Sequence, residues 1–276
     1  MRLSSSTGDF KGYVPSVADA VREFGKTKFK YINLEQPGTQ PEYSANDDNG
    51  WREVAEDWAR AAEDARVKYV ISHAPCLNAY ERLDEEHYQT VVRAMRRAIE
   101  ICGILGIDRI VVHASSNEAF DKPEFIARNK KFYGDLFDVM EKHCVSVLLE
   151  NMHELPYYTF STGTEIREFL DEVNHPLLGA CFDTAHCNMN RFAREIGQYN
   201  NIIALGDKLM GLHISDNLSG SGHQHTWPFA GIINFDEVMQ GLIDIHYCGY
   251  FNFEASYTLI NRNNPPQERK AWIKDG

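Results

Sequence analysis

Short apolar runs recur along this chain, and each stops on a side chain that carries a ligand atom. Tyr69-Val70-Ile71 leads to His73, Ile110-Val111-Val112 to His113, and Val147-Leu148-Leu149 to Glu150. The run 178–182 meets Asp183, Met210-Gly211-Leu212 meets His213, and Phe251-Asn252-Phe253 meets Glu254. Runs that stay apolar on successive residues read as strands covered on both faces, as in parallel sheets flanked by helices. A carboxylate or imidazole closing such a strand costs desolvation free energy unless something pairs with it. Six in succession point to one shared site.

Two further runs, over 2–5 and over 29–34 ending at Glu35, bring the set to eight. Strand ends then fall near 5, 35, 73, 113, 150, 183, 213 and 254. Eight strand–helix units in 276 residues leave about 34 residues each, the size of one βαβ step. Helical spacing of apolar residues predicts helices over 14–24, 51–66, 84–104, 121–143, 162–173, 190–205 and 235–246. Ser16 stands where an N-cap helps, and Pro123 suits a helix start. The Pro-, Gly-, Asn- and Asp-rich stretch 36–50 reads as a loop long enough to be a lid, and 216–231 as a second long loop. From Asn261 the tail is polar, with Pro265-Pro266 and then a short helix. The expectation is an α/β fold, a (β/α)8 TIM barrel forming a single domain over 1–276, with its site at the C-terminal ends of the strands.

The formal net charge of −12 repels polyanions, so neither nucleic acid nor an anionic membrane is an expected partner. No stretch approaches the roughly 20 apolar residues of a membrane span, and Met-Arg-Leu-Ser-Ser-Ser begins no apolar leader. Six scattered cysteines (Cys76, Cys102, Cys144, Cys181, Cys187, Cys248) with no close CxxC pair suit free thiols in a reducing compartment. A cytoplasmic protein is expected, with the exposed barrel faces leaving a homo-oligomer open.

Glu150, Asp183, His213 and Glu254 end four consecutive strands and are therefore neighbours around one side of the barrel mouth. Three carboxylates and one imidazole, with room for waters, suit one divalent ion: Mn²⁺, Mg²⁺ or Zn²⁺. His186, His73, His113 and His225 are candidates for substrate contacts or a second ion. Glu35 is placed to reach a substrate from strand two. Trp51, Trp227 and Phe229 are candidate pocket walls.

The constellation is similar to the xylose-isomerase-like barrel superfamily, most closely its sugar isomerase/epimerase branch. The pieces that carry the resemblance are Leu149-Glu150-Asn151, Phe182-Asp183-Thr184-Ala185-His186, Gly211-Leu212-His213 and Phe253-Glu254. It extends from the first strand to Glu254. It implies that Glu150, Asp183, His213 and Glu254 hold one divalent ion, that Glu150 and Glu254 are also the catalytic acid/base pair, and that His186 touches the sugar. A more distant resemblance is to endonuclease IV, a phosphodiesterase with three zinc ions. Its ligands fall on His73, His113, Glu150, Asp183, His186, His213, His223, His225 and Glu254, with His223 standing where that family has Asp, so additional zinc is possible. Against that reading, Ala114-Ser115-Ser116 replaces the nuclease family's Pro-Gly turn, and 214–232 holds no Lys or Arg to grip phosphates. The epimerase branch often carries an Arg in that same loop, and its absence favours an uncharged sugar, although Arg262 remains a possible phosphate contact. The expected chemistry is proton transfer beside a ketose or polyol carbonyl, through an enediolate. The alternatives are a multinuclear-zinc phosphodiesterase and a non-catalytic sugar-binding barrel.

Overall fold

The structure is a computed structural model and describes residues 2–37, 50–220 and 224–255. Eight strands form: β1 (Arg2–Ser6), β2 (Tyr31–Glu35), β3 (Lys68–His73), β4 (Arg109–Val111), β5 (Ser146–Glu150), β6 (Leu178–Asp183), β7 (Leu209–His213) and β8 (Tyr250–Phe253). Each pairs in parallel with its sequence neighbour, and β1 pairs in parallel with β8. The ring closes between β7 and β8, where the Ile214 N–H donates to the Asn252 carbonyl (2.8 Å) and the Glu254 N–H to the Ile214 carbonyl (3.0 Å). The chain is a TIM barrel.

Alternation along each strand decides what enters the barrel. Val70, Ile71, Val111, Leu148 and Cys181 form an interior plug, while Ile110, Val112, Val147, Leu149, Ala180 and Phe182 belong to the shell between strands and helices. His73, His113, Glu150 and Asp183 each lie two residues beyond a plug residue, so the same face carries them onto the floor of the mouth. Gly211 sits level with the plug: a Cβ there would stand 2.7 Å from Leu148 Cδ1 and 3.0 Å from Ile71 Cδ1. The strand that presents His213 can pass this close only without a side chain.

Ten α-helices wrap the ring: α1 (Val17–Phe24), α2 (Trp51–Ala65), α3 (Glu85–Leu105), α4 (Lys122–Gly134), α5 (Phe137–His143), α6 (Gly163–Val173), α7 (Thr184–Met189), α8 (Arg191–Ile196), α9 (Gln198–Leu205) and α10 (Phe235–Asp244), counted among the described residues. Ser16, Asp84, Asp121 and Thr162 each accept an N-cap hydrogen bond, and Pro123 sits in the first turn of α4. Three expectations change. The helix predicted over 121–143 breaks at 135–136 into α4 and α5. The one over 190–205 breaks at Gly197, whose φ of 86° ends α8. The first helix begins at Val17, since Ser16 is extended at φ −139° and serves as its cap. Residues 38–49 of the loop expected over 36–50, and the expected tail helix, lie outside the described residues. Among those described, no helix is long and apolar enough to cross a membrane.

Candidate functional site

Glu150 is the hub of the mouth. It is 1% exposed and ends β5. The His213 Nδ1–H donates to its Oε1 at 2.8 Å, and His113 Nε2 lies 2.9 Å from its Oε2. His186 Nδ1 is 3.5 Å from Oε1 and His73 Nε2 3.6 Å from Oε2. Burial alone pushes a carboxyl up, but His213, His113 and His186 outweigh it and hold Glu150 well below the usual carboxylate range. Glu254 is placed differently. It follows β8 and is a quarter exposed, with Oε2 3.2 Å from His213 Nδ1. Burial together with the negative Glu150 and Asp183 pushes its carboxyl up, against the pull of His213.

Asp183 is fully buried and is held by its neighbour strand. The Asn151 side-chain amide donates to the Asp183 carbonyl (2.9 Å) and accepts from the Asp183 N–H (2.7 Å). Asp183 Oδ1 caps α7 by accepting from the His186 N–H at 2.6 Å, which swings His186 over the mouth. The His186 Nδ1–H in turn donates to the Asn151 carbonyl (3.0 Å). Burial works against charging that imidazole, yet Asp183 and Glu150 raise it to about 9. His225 Nδ1 lies 3.8 Å from both Asp183 Oδ2 and Glu254 Oε2. Its loop is tied down by the buried Asp216, which accepts from the N–H groups of Asn217, Gly231 and Ile233.

The arrangement fits a divalent cation. One ligand atom from each of Glu150, Asp183, His213 and Glu254 lies within 4.8 Å of the others. Asp183 Oδ2 is buried without a hydrogen-bond partner, a cost that a metal bond removes, and His213 turns Nδ1 toward both Glu150 and Glu254. Three carboxylates converging on one point also repel unless a cation sits between them. A second triangle lies beside the first. His73 Nε2, His113 Nε2 and Glu150 Oε2 are 3.2, 2.9 and 3.6 Å apart. Bonds of about 2.0–2.1 Å to a tetrahedral ion make an edge of roughly 3.3–3.4 Å, so this triangle is close to one face of such a site. The His73 Nδ1–H donates to the Ala74 carbonyl at 2.7 Å, which leaves the Nε2 lone pair turned inward. Asp183, His186 and His225 make a third group within the same reach.

Glu35 joins none of these groups. It lines a cleft of about 520 Å³ on the β1–β3 side, with Thr7, Lys11, Gln36, His73 and Cys76. Phe229 is 84% exposed and leans on Phe235, so it walls no pocket. Trp51 is buried at the head of α2 beneath the guanidinium groups of Arg52 and Arg97. Trp227 packs on Phe253 next to Glu254. His223 and Arg262 fall outside the described residues. Sequence reasoning passed over Asp9, which is 1% exposed beyond β1, and gave no part to Asn151 or Cys76. Asn151, fully buried directly after Glu150, was the one with a readable signal, an amide closing an apolar run.

A family model described as xylose isomerase-like TIM barrel matches residues 18–276. A probable endonuclease 4 of Citrifermentans bemidjiense is 25% identical over 202 residues, 66% of this chain and 68% of that protein. A ketose 3-epimerase of Arthrobacter globiformis is 27% identical over 165 residues, 58% of this chain and 54% of the epimerase. The crystal structure of D-psicose 3-epimerase with D-tagatose from Clostridium cellulolyticum H10 superposes with a TM-score of 0.77 at 16% identity, covering 100% of this chain and 96% of that one. With the family model spanning nearly the whole barrel, the chain belongs to the xylose isomerase-like TIM barrel family.

Proposed function

We propose that this protein is a divalent-metal-dependent sugar isomerase/epimerase that moves a proton between Glu150 and Glu254 on a ketose or related polyol. The observation that carries the reading is the pair itself: Glu150 and Glu254 reach one imidazole nitrogen, His213 Nδ1, at 2.8 and 3.2 Å. Two carboxylates facing one site suit one proton acceptor and one proton donor. Glu150, Asp183, His213 and Glu254 would hold the ion. When bound, the ion supplies Lewis acidity to the sugar's carbonyl and adjacent hydroxyl.

Glu150 accepts the proton from the carbon beside the carbonyl, leaving an enediolate. Glu254 delivers a proton to the opposite face for epimerisation, or to the neighbouring carbon for isomerisation. His186, oriented by the Asn151 carbonyl, donates to a sugar hydroxyl. Glu35, His73 and the cleft they share receive the remainder of the chain of hydroxyls. An uncharged sugar is favoured because 214–232 carries no Lys or Arg. The ketose 3-epimerase relative supports the class.

The test is solvent deuterium uptake, followed by NMR, into a ketose and inosose panel with the Mn²⁺-loaded protein. Exchange is expected for wild type and is expected to vanish in Glu150→Gln and Glu254→Gln. Retained exchange in either variant removes that residue as a base or acid. No exchange across the panel moves the conclusion to a sugar-binding barrel. A second reading, a zinc phosphodiesterase, is favoured by the two additional histidine groups and the endonuclease 4 relatives. Three zinc ions per chain together with phosphodiester cleavage would establish it instead.

A further inference from the structure

Ala74 and Pro75 follow the β3 terminus, and Cys76 then lines the same cleft as His73. The Leu77 N–H donates to the Pro75 carbonyl (2.8 Å), and the Ala74 N–H to the Val111 carbonyl (2.9 Å), which fixes this corner against β4. Cys76 is an exposed free cysteine, whereas Cys102, Cys181 and Cys187 are buried. Its sulfur, one ring nitrogen of His73 and one of His113 all lie within 4.8 Å of each other. A buried thiol of the core needs no such company. This one lies beside both imidazoles of the triangle of His73 Nε2, His113 Nε2 and Glu150 Oε2, whose spacing already approaches a tetrahedral face.

We propose that Cys76 is a thiolate ligand that turns the His73–His113 pair into a second, zinc-selective site sharing Glu150. The inference rests on the metal-holding reading of the strand ends, not on the identity of the sugar. With metal–sulfur bonds of about 2.3 Å and metal–nitrogen bonds of about 2.0–2.1 Å, the sulfur-to-nitrogen edge is roughly 3.6 Å, and the Cys76 sulfur already stands within 4.8 Å of both imidazoles. Binding displaces the thiol proton, which leaves to solvent, and one metal–sulfur bond forms. Two imidazoles, one carboxylate and one thiolate prefer zinc to Mn²⁺ or Mg²⁺, while the carboxylate-rich neighbour keeps the harder ion. Four protein ligands also leave no open position for an activated water, so the second ion does not hydrolyse phosphodiesters. It ties Glu150 through Oε2 instead.

The test uses the full chain, stripped of metal and kept anaerobic, titrated with Co²⁺ in the absence of sugar. A sulfur-to-cobalt charge-transfer band in the near ultraviolet is expected to grow with the second equivalent. Cys76→Ser should abolish the band and weaken the second equivalent by about tenfold or more, while the other five cysteines remain in place. Cobalt bound without the band, or the band persisting in Cys76→Ser, overturns the proposal while leaving the first site standing. No cobalt bound at all overturns the metal-holding reading as well. As an independent measurement, zinc should slow alkylation of Cys76 by iodoacetamide relative to the exposed Cys144 and Cys248 of the same molecules. Equal labelling with and without zinc counts against the site even if the variant misfolds.

Discussion

Asp9 has no part in the proton transfer, yet it is a buried carboxyl beside the mouth. The Ser5 hydroxyl donates to its Oδ2 at 2.5 Å, and Oδ1 is buried without a partner. Burial pushes the carboxyl up to about 7; the Ser5 hydroxyl holds it back, and the negative Glu35 and Glu254 add to the rise. An acid raised in the folded state above its unfolded value near 3.9 binds its proton more tightly when folded. The stability it contributes is therefore full below about pH 4, falls as pH rises to about 7, and is flat beyond. A shift of about three units corresponds to about 4 kcal/mol, or about 8 °C in Tm for a chain of this size. Asp9→Asn carries no proton to lose. The Tm of the variant relative to wild type should climb between about pH 4.5 and about pH 7.5 in ion-free melts. Parallel pH profiles for the two proteins would show that Asp9 titrates normally.

At the scale of elements, the contact between α6 and α9 makes a sharper statement about helix starts than propensity does. Thr162 and Glu165 form a capping box at the head of α6. Next to it the Gly163 N–H donates to Asn201 Oδ1 (2.9 Å), and a Cβ on Gly163 would sit 2.1 Å from the Asn201 carbonyl oxygen. Backbone cannot yield as a flexible side chain can, so Gly163→Ala must push α6 off α9, at about 1–3 kcal/mol. Thr162→Ala loses a cap worth about 1 kcal/mol. The glycine variant should be at least as damaging in urea melts, although alanine is the better helix former. A Gly163→Ala protein as stable as wild type would show that the two helices are not held this closely. These elements also mark what was readable in the sequence. The strands were, because residues apolar on both faces have few other homes. The convergence of Glu150, Asp183, His213 and Glu254 was, because charge at the end of such a run is chemically out of place. The helix α7 was not, since all six of its residues are buried and show no polar stripe to set a period. Asp9 lies in Thr-Gly-Asp-Phe, which reads locally as a turn; only tertiary burial makes it unusual. Cys76 looked like one of six scattered thiols until β3 and β4 were set side by side.

For the whole molecule, the mouth sets function against stability, and the balance can be measured. Folding gathers three carboxylates and leaves Asp183 Oδ2 and His213 Nε2 buried and unbonded, which the ion-free barrel tolerates at a cost to its own stability. A cation that binds only the folded chain returns about 2.7 kcal/mol when present at a hundredfold its Kd, which raises Tm by about 5 °C. Asp183→Asn separates the two effects. The asparagine keeps an oxygen to accept from the His186 N–H, so α7 stays capped. It removes one negative charge from beside Glu150 and Glu254. The ion-free variant is therefore expected to melt at or above the wild-type temperature, yet to gain far less from Mn²⁺ than wild type does. Calorimetry of both proteins, with Mn²⁺ and with chelator, reads the two quantities directly. If Mn²⁺ raised the Tm of both equally, Asp183 would hold no ion; if it raised neither, the barrel mouth would be a hydrogen-bonded cluster of acids and imidazoles instead of a metal site.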